Sequence, residues 1–206
     1  MAMKRFPITN VEGDLVAQYR DPDEKLYASL ELNQVAFPKT GMVVSQTPLG
    51  TAFTKANPCE NGMWVVADKA AGAINPPAAA TDSPIGIVYT TEKEYDMMHY
   101  GLQRFGRKIA GDYPRVGILG IGDTVTTNCL QYDEAASGDN AFANFAALET
   151  ALNAIGTTPL YVGIAAGSPV PQILKSAPQS GIYGKIVKYY TIPNGGKGVK
   201  YQIVRV

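Results

Sequence analysis

The chain carries one histidine, His99, and two cysteines, Cys59 and Cys129. Nucleophilic catalysis requires a nucleophile within hydrogen-bond reach of a base. His99 lies in Asp96-Met97-Met98-His99-Tyr100 with no Ser or Cys motif beside it, and no Gly-x-Ser-x-Gly elbow occurs. A triad assembled from distant residues stays formally open, but no further signal accompanies it. His99 therefore reads as an ordinary surface or packing residue, and the expectation is a protein that is not an enzyme. The cysteines form no Cys-x-x-Cys motif and no Cys/His cluster. They read as two reduced, partly buried thiols, with a single disulfide as the alternative.

Metal and phosphate chemistry find no better support. Asp21-Pro22-Asp23-Glu24 and Asp133-Glu134 are acidic, but neither has the alternating oxygen ligands, central Gly and terminal Glu of a calcium loop. Gly117-Ile118-Leu119-Gly120-Ile121-Gly122 lacks the glycine spacing of a dinucleotide fingerprint, and no helical pattern follows it. Asn194-Gly195-Gly196-Lys197-Gly198 lacks the Lys-Ser/Thr of a phosphate loop. All four read as turns, and no cofactor or metal is expected. The one local basic patch is Arg104-Phe105-Gly106-Arg107-Lys108 with Arg115 nearby. A nucleic-acid module needs a broader basic face with interleaved aromatics, so this patch reads better as a contact for an acidic protein surface.

The overall balance agrees. The 18 basic and 18 acidic residues cancel, leaving no global field to attract nucleic acid. Charged residues make up 17% of the chain, against roughly 25% in soluble domains. Few charges and no net charge lower the solubility of a free monomer, which suits a protein that works assembled. Met1-Ala2-Met3-Lys4-Arg5-Phe6-Pro7 lacks the apolar run of a signal peptide. No stretch approaches the roughly 20 apolar residues of a membrane span. Synthesis in a cytoplasm and no membrane partner are expected.

The elements that must position these residues are mostly strands. The 21 glycines and 14 prolines are dispersed, as turns between short strands would be. Residues 1–40 read as an extended N-terminal arm, with Leu26, Ala28, Leu30 and Leu32 giving one apolar strand face. An arm without its own core packs either on its own domain or on a neighbour. Residues 41–206 read as a β-rich domain. Met42-Val43-Val44, Ile85-Gly86-Ile87-Val88-Tyr89, Val116-Gly117-Ile118-Leu119 and Thr124-Val125-Thr126-Thr127 read as strands. Trp64, the only tryptophan, follows the Asn61-Gly62 turn and reads as a core anchor. Residues 70–84 form a loop of small residues and prolines. Phe142, Phe145, Leu148, Leu152 and Ile155 recur at helical spacing, which predicts an amphipathic helix over about 140–155, capped by Asp139 or Asn140 and stopped by Gly156. A C-terminal β-hairpin turns at Pro193-Asn194-Gly195-Gly196, and Lys188, Lys197, Lys200 and Arg205 on it read as edge-strand guards against aggregation.

Two stretches repeat one pattern. Asn61 to Asp68 followed by Ser83 to Val88 parallels Ile121 to Asn128 followed by Thr158 to Ala165: a glycine turn, a strand-like run, an insert, then Pro and a Gly-Ile pair. This predicts a small β-barrel or β-sandwich-like core from a duplicated strand unit, with pseudo-repeats at about 41–91 and 116–175.

These stretches resemble the head-decoration, or cement, proteins of tailed bacteriophages. In that family an apolar-Gly-Ile strand follows a Gly-x-hydrophobic-x-x-Asp strand; here Gly62–Asp68 and Pro84–Val88 correspond, and again Gly122–Asn128 and Pro159–Ala165. The resemblance covers about half the chain; the helix segment, residues 92–115 and the C-terminal hairpin are additions to it. It implies a virion structural protein on the capsid surface, with the major capsid protein and further copies of itself as partners. A homo-oligomer, commonly a trimer, and an arm that joins the capsid lattice are implied as well. The residues expected to touch partners are Phe6, Ile8, Leu15 and Val16 on the arm, and Arg104 and Arg107 in the basic patch. A tail, neck, baseplate or head-fibre component is the alternative, and a soluble carbohydrate- or peptide-binding β module the next.

Overall fold

The computed structural model describes residues 3–7, 30–35, 43–67, 69–89, 107–135, 137–191 and 196–206. The chain is mainly β. In chain order the strands are β1 (Met3–Arg5), β2 (Leu30–Gln34), β3 (Val43–Val44), β4 (Cys59–Glu60), β5 (Trp64–Val66), β6 (Ile85–Val88) and β7 (Arg107–Lys108). They continue with β8 (Val116–Ile118), β9 (Thr124–Thr127), β10 (Gln131–Asp133), β11 (Tyr161–Ala165), β12 (Ser168–Leu174), β13 (Tyr183–Thr191) and β14 (Lys197–Arg205). One α-helix, α1 (Phe145–Asn153), lies between β10 and β11 among the described residues.

Eight strands form a sheet in the order β1-β10-β12-β11-β13-β14-β9-β2, four form a second in the order β3-β8-β6-β5, and β4 pairs with β7. The large sheet ends at β1 and β2, and no pairing between those two closes it among the described residues. Residues of the two larger sheets share one hydrophobic core. The main core takes Trp64, Ile85 and Ile87 from the small sheet, Val125, Val162, Ile173, Ile186, Val199 and Tyr201 from the large one, and Leu148 and Leu152 from α1. A second cluster lies on the other face of the small sheet, where Val65, Val88, Val116 and Ile118 meet Leu49, Phe53, Cys59 and Cys129. Burial on both faces explains why Ile85-Gly86-Ile87-Val88 is a continuous apolar run with no polar alternation.

The two glycine turns of the predicted repeat are alike, but the second Pro-apolar-Gly-Ile stretch does not pair with the strand that follows its turn. Gly62 and Gly122 both hold positive φ, +89° and +96°, a conformation that favours glycine. Each turn then enters a strand in the same way. Gly62 N–H donates to the Val88 carbonyl at 2.9 Å, and Val88 N–H returns to the Met63 carbonyl at 2.9 Å. Gly122 N–H donates to the Ile203 carbonyl at 2.8 Å, and Ile203 N–H returns to the Asp123 carbonyl at 2.8 Å. The registers match as well: Trp64, Val65 and Val66 face Ile87, Gly86 and Ile85, while Thr124, Val125 and Thr126 face Gln202, Tyr201 and Lys200. So the strand equivalent to β6 is the C-terminal β14. Residues Thr158–Ala165 pair instead with β12 and β13 through β11. A Pro-apolar-Gly-Ile sequence is shared by many buried strands, and its likeness at 159–165 reflects burial rather than equivalent position. β8, at the start of the second predicted pseudo-repeat, pairs with β3 and β6 of the first.

Two further expectations change. The helix starts later than predicted: Asn144 is the N-cap, its Oδ1 accepting the Ala147 N–H at 2.9 Å, while the Asn140 amide is committed to Gln172 Oε1 at 2.9 Å. Phe142 precedes the helix and packs edge-on against Tyr132. The C-terminal hairpin is interior, flanked by β11 and β9, so its lysines do not guard an edge.

Candidate interaction site

The parts of the predicted arm that the structure describes sit at the two edges of the large sheet. β1 pairs antiparallel with β10, Met3 to Asp133 through Arg5 to Gln131. β2 pairs antiparallel with β9, and Leu30 and Leu32 pack against the main core. Phe6 is 1% exposed and belongs to that core. It meets Phe145 edge-on at 5.1 Å and Tyr189 at 6.3 Å between ring centroids. Phe6 was expected to reach a neighbour; its ring is instead enclosed by its own chain. Ile8, Leu15, Val16 and Arg104 lie outside the described residues, as does His99. Arg107 stands in β7, its backbone opposite Glu60.

The residue next to Phe6 forms a part-buried ion pair. Arg5 Nη2 donates to Glu60 Oε2 at 3.2 Å, and Glu60 is buried. The same Nη2 lies 3.8 Å from Cys129 Sγ. Here β1, β4 and the end of β9 converge. The pair forms one wall of a groove of about 730 Å³ whose lining includes Pro7, Phe53, Pro58, Gln131, Ser168 and Pro169. Gln131 Nε2 holds the groove floor by donating to Ser168 Oγ at 3.0 Å and the Val170 carbonyl at 2.7 Å. The groove mixes apolar residues with polar ones, and its guanidinium is already engaged by a carboxylate. Among the described residues no group of three or more His, Cys, Asp and Glu could share a metal ion. No helix among them is long and apolar enough to cross a membrane.

Both thiols are free and buried. Burial pushes the Cys59 thiol well up, and Cys129 and Glu60 add to it. Burial also pushes Cys129 up, to about 12, against the opposing effect of Arg5. A thiol that must stay protonated is a poor nucleophile. Native protein at neutral pH is expected to resist alkylation by iodoacetamide at both positions, and urea-unfolded protein to react at both; rapid native labelling would contradict the buried geometry. Linkage gives the sign of the pH effect. A thiol raised in the folded state stabilises fully below its unfolded value. For Cys129 that stabilisation is lost as pH climbs from 9.0 toward about 12. Urea midpoints should therefore fall across this window, and fall less steeply in Cys129→Ser.

The sequence offers no local mark for this site, because Arg5 and Glu60 are 55 positions apart and only the β1–β10 pairing brings them together. The available signal is the Lys4-Arg5 pair between apolar residues, which is also how a solvated end reads. Compared with protein-family models, curated proteins and solved structures, the chain gives no match.

Proposed function

We propose that this protein is a non-enzymatic structural component of a phage virion that binds the outside of the capsid as a decoration protein. The observation that carries this reading is the pairing of β5 with β6: the first pair of stretches on which the resemblance to decoration proteins rests forms one antiparallel unit at the edge of the four-stranded sheet, whereas the second pair joins different strands of the large sheet. Low charge density and a large apolar fraction support it, since repeated contacts across a shell need surfaces that tolerate burial. The mechanism is mass action. Each copy binds the assembled lattice and not its free subunits, which stabilises the lattice. Many modest contacts on one shell sum to a lock.

Quantitative mass spectrometry of purified particles, against the major shell protein, tests the reading. Symmetric shells repeat each site many times, so on the order of hundreds of copies per particle are expected. About a dozen or fewer would place the protein at the neck, tail or baseplate. Absence from particles would refute a virion role.

A further inference from the structure

All 18 acidic residues of the chain lie at or before Glu149, while Lys175, Lys185, Lys188, Lys197, Lys200 and Arg205 follow it. The fold gathers most of these cations on one hairpin. β13 and β14 carry no acid, and neither do the strands beside them, β9 and β11. Val199, Tyr201 and Ile203 point into the main core, so Lys200 and Gln202 point away from it. Register puts Lys188 opposite Lys200, and Lys185 opposite both Gln202 and Tyr161, on that same outer face. Lys185, Lys188 and Gln202 are exposed.

Like charges directly opposite each other across a ladder destabilise it, yet Lys188 and Lys200 face each other in the interior of the sheet. Guarding an edge does not explain them, because β13 and β14 have strands on both sides. The nearest acid in that row is Glu31, which pairs with Thr126, the residue beside Lys200. Two strand spacings separate its backbone from that of Lys200, roughly 10 Å. We infer that the outer face of the β13–β14 hairpin is a docking surface for an acidic protein segment, whose carboxylates relieve the Lys188–Lys200 repulsion. The partner is a protein rather than a nucleic acid for two reasons. The tyrosine rings on this face are already engaged: Tyr183 lies under Arg205 and edge-on to Tyr161, and Tyr190 lies under Lys188 with its hydroxyl 2.9 Å from Thr126 Oγ1. Each of these rings is engaged on one side, which leaves less surface for base stacking. And Val187 and Val204, 48% and 38% exposed, emerge at the two register shifts of the hairpin, adding apolar contact of the sort a protein interface uses. The inference rests on the structural-protein reading for its biological setting; the surface stands without it.

The test uses the full chain and fluorescein-labelled poly-L-glutamate, with oligo-dT and phosphatidylserine vesicles as competing probes. Poly-L-glutamate is expected to bind with strong salt dependence. The triple variant Lys185→Gln/Lys188→Gln/Lys200→Gln should weaken it by about tenfold or more. A charge-matched control, Lys4→Gln/Lys55→Gln/Lys175→Gln, should lose little. Lys200→Gln alone should melt no lower than the parent, since it removes the repulsion and leaves the Lys188–Tyr190 contact in place. Three results would overturn the proposal: no binding by the parent at low salt, equal loss in both triples, or preference for oligo-dT or vesicles. If the protein is abundant in particles yet ignores poly-L-glutamate, the surface fails and the decoration reading stands. If it binds poly-L-glutamate but is absent from particles, the reverse holds.

Discussion

Trp64→Ala is expected to destabilise the protein by about 3–5 kcal/mol, the range for truncating a large buried aromatic. Trp64 is 1% exposed and bridges the two sheets. Its indole Nε1–H donates to the Tyr201 hydroxyl at 3.0 Å, and the rings meet edge-on at 6.0 Å between centroids. Trp64 lies in the small sheet and Tyr201 in the large one, so their contact joins the two sheets. Trp64→Phe keeps most of the volume but strands the Tyr201 hydroxyl in the core, which costs about 1–3 kcal/mol. Tyr201→Phe strands the indole N–H by the same logic. The double variant Trp64→Phe/Tyr201→Phe should lose less than the two singles together, because neither orphan then remains. Urea denaturation of the four proteins measures this; strict additivity would mean that the hydrogen bond carries no coupling.

The strands that bury apolar residues were legible, and those defined by their neighbours were not. Trp64–Val66, Ile85–Val88, Val116–Ile118 and Thr124–Thr127 announce themselves by composition. β1, Met3-Lys4-Arg5, has no such composition and is a strand only because β10 offers it an edge. β12 carries Pro169 and Pro171 inside the sheet, which argues against a strand when read alone. Its ladder to β11 registers at Ser168 and then at Gln172, shifting across the prolines, so their missing N–H groups are not required. The helix was visible but displaced, because Phe142 keeps the helical spacing while serving the core from the loop before it. The Arg5–Glu60 contact was invisible because it depends on that same unannounced β1. The basic hairpin was visible but misread, because strand order across a sheet is not written in strand composition.

Phe6→Ala is expected to cost about 3–5 kcal/mol as well, although Phe6 falls in a stretch that reads as an arm without its own core. Its edge-on contacts with Phe145 and Tyr189 join the N-terminus to α1 and β13, and its N–H donates to the Leu130 carbonyl at 2.8 Å. Tyr189 in turn donates to Glu149 Oε1 at 2.6 Å, so losing the Phe6 ring loosens both ends of that contact. Deleting residues 1–7 should be worse. It removes Arg5 from the buried Glu60 carboxylate and bares the outer edge of β10, an invitation to aggregate. The consequence for function is direct. Loss of capsid binding after deletion of the N-terminus would report unfolding and would say nothing about an arm. A lattice contact from this region has to be sought beyond Phe6, with Leu15→Ser/Val16→Ser in place of truncation. That variant is expected to keep the parent's urea midpoint and lose particle binding. Undiminished binding would remove the arm from the mechanism and leave the basic hairpin as the surface to pursue.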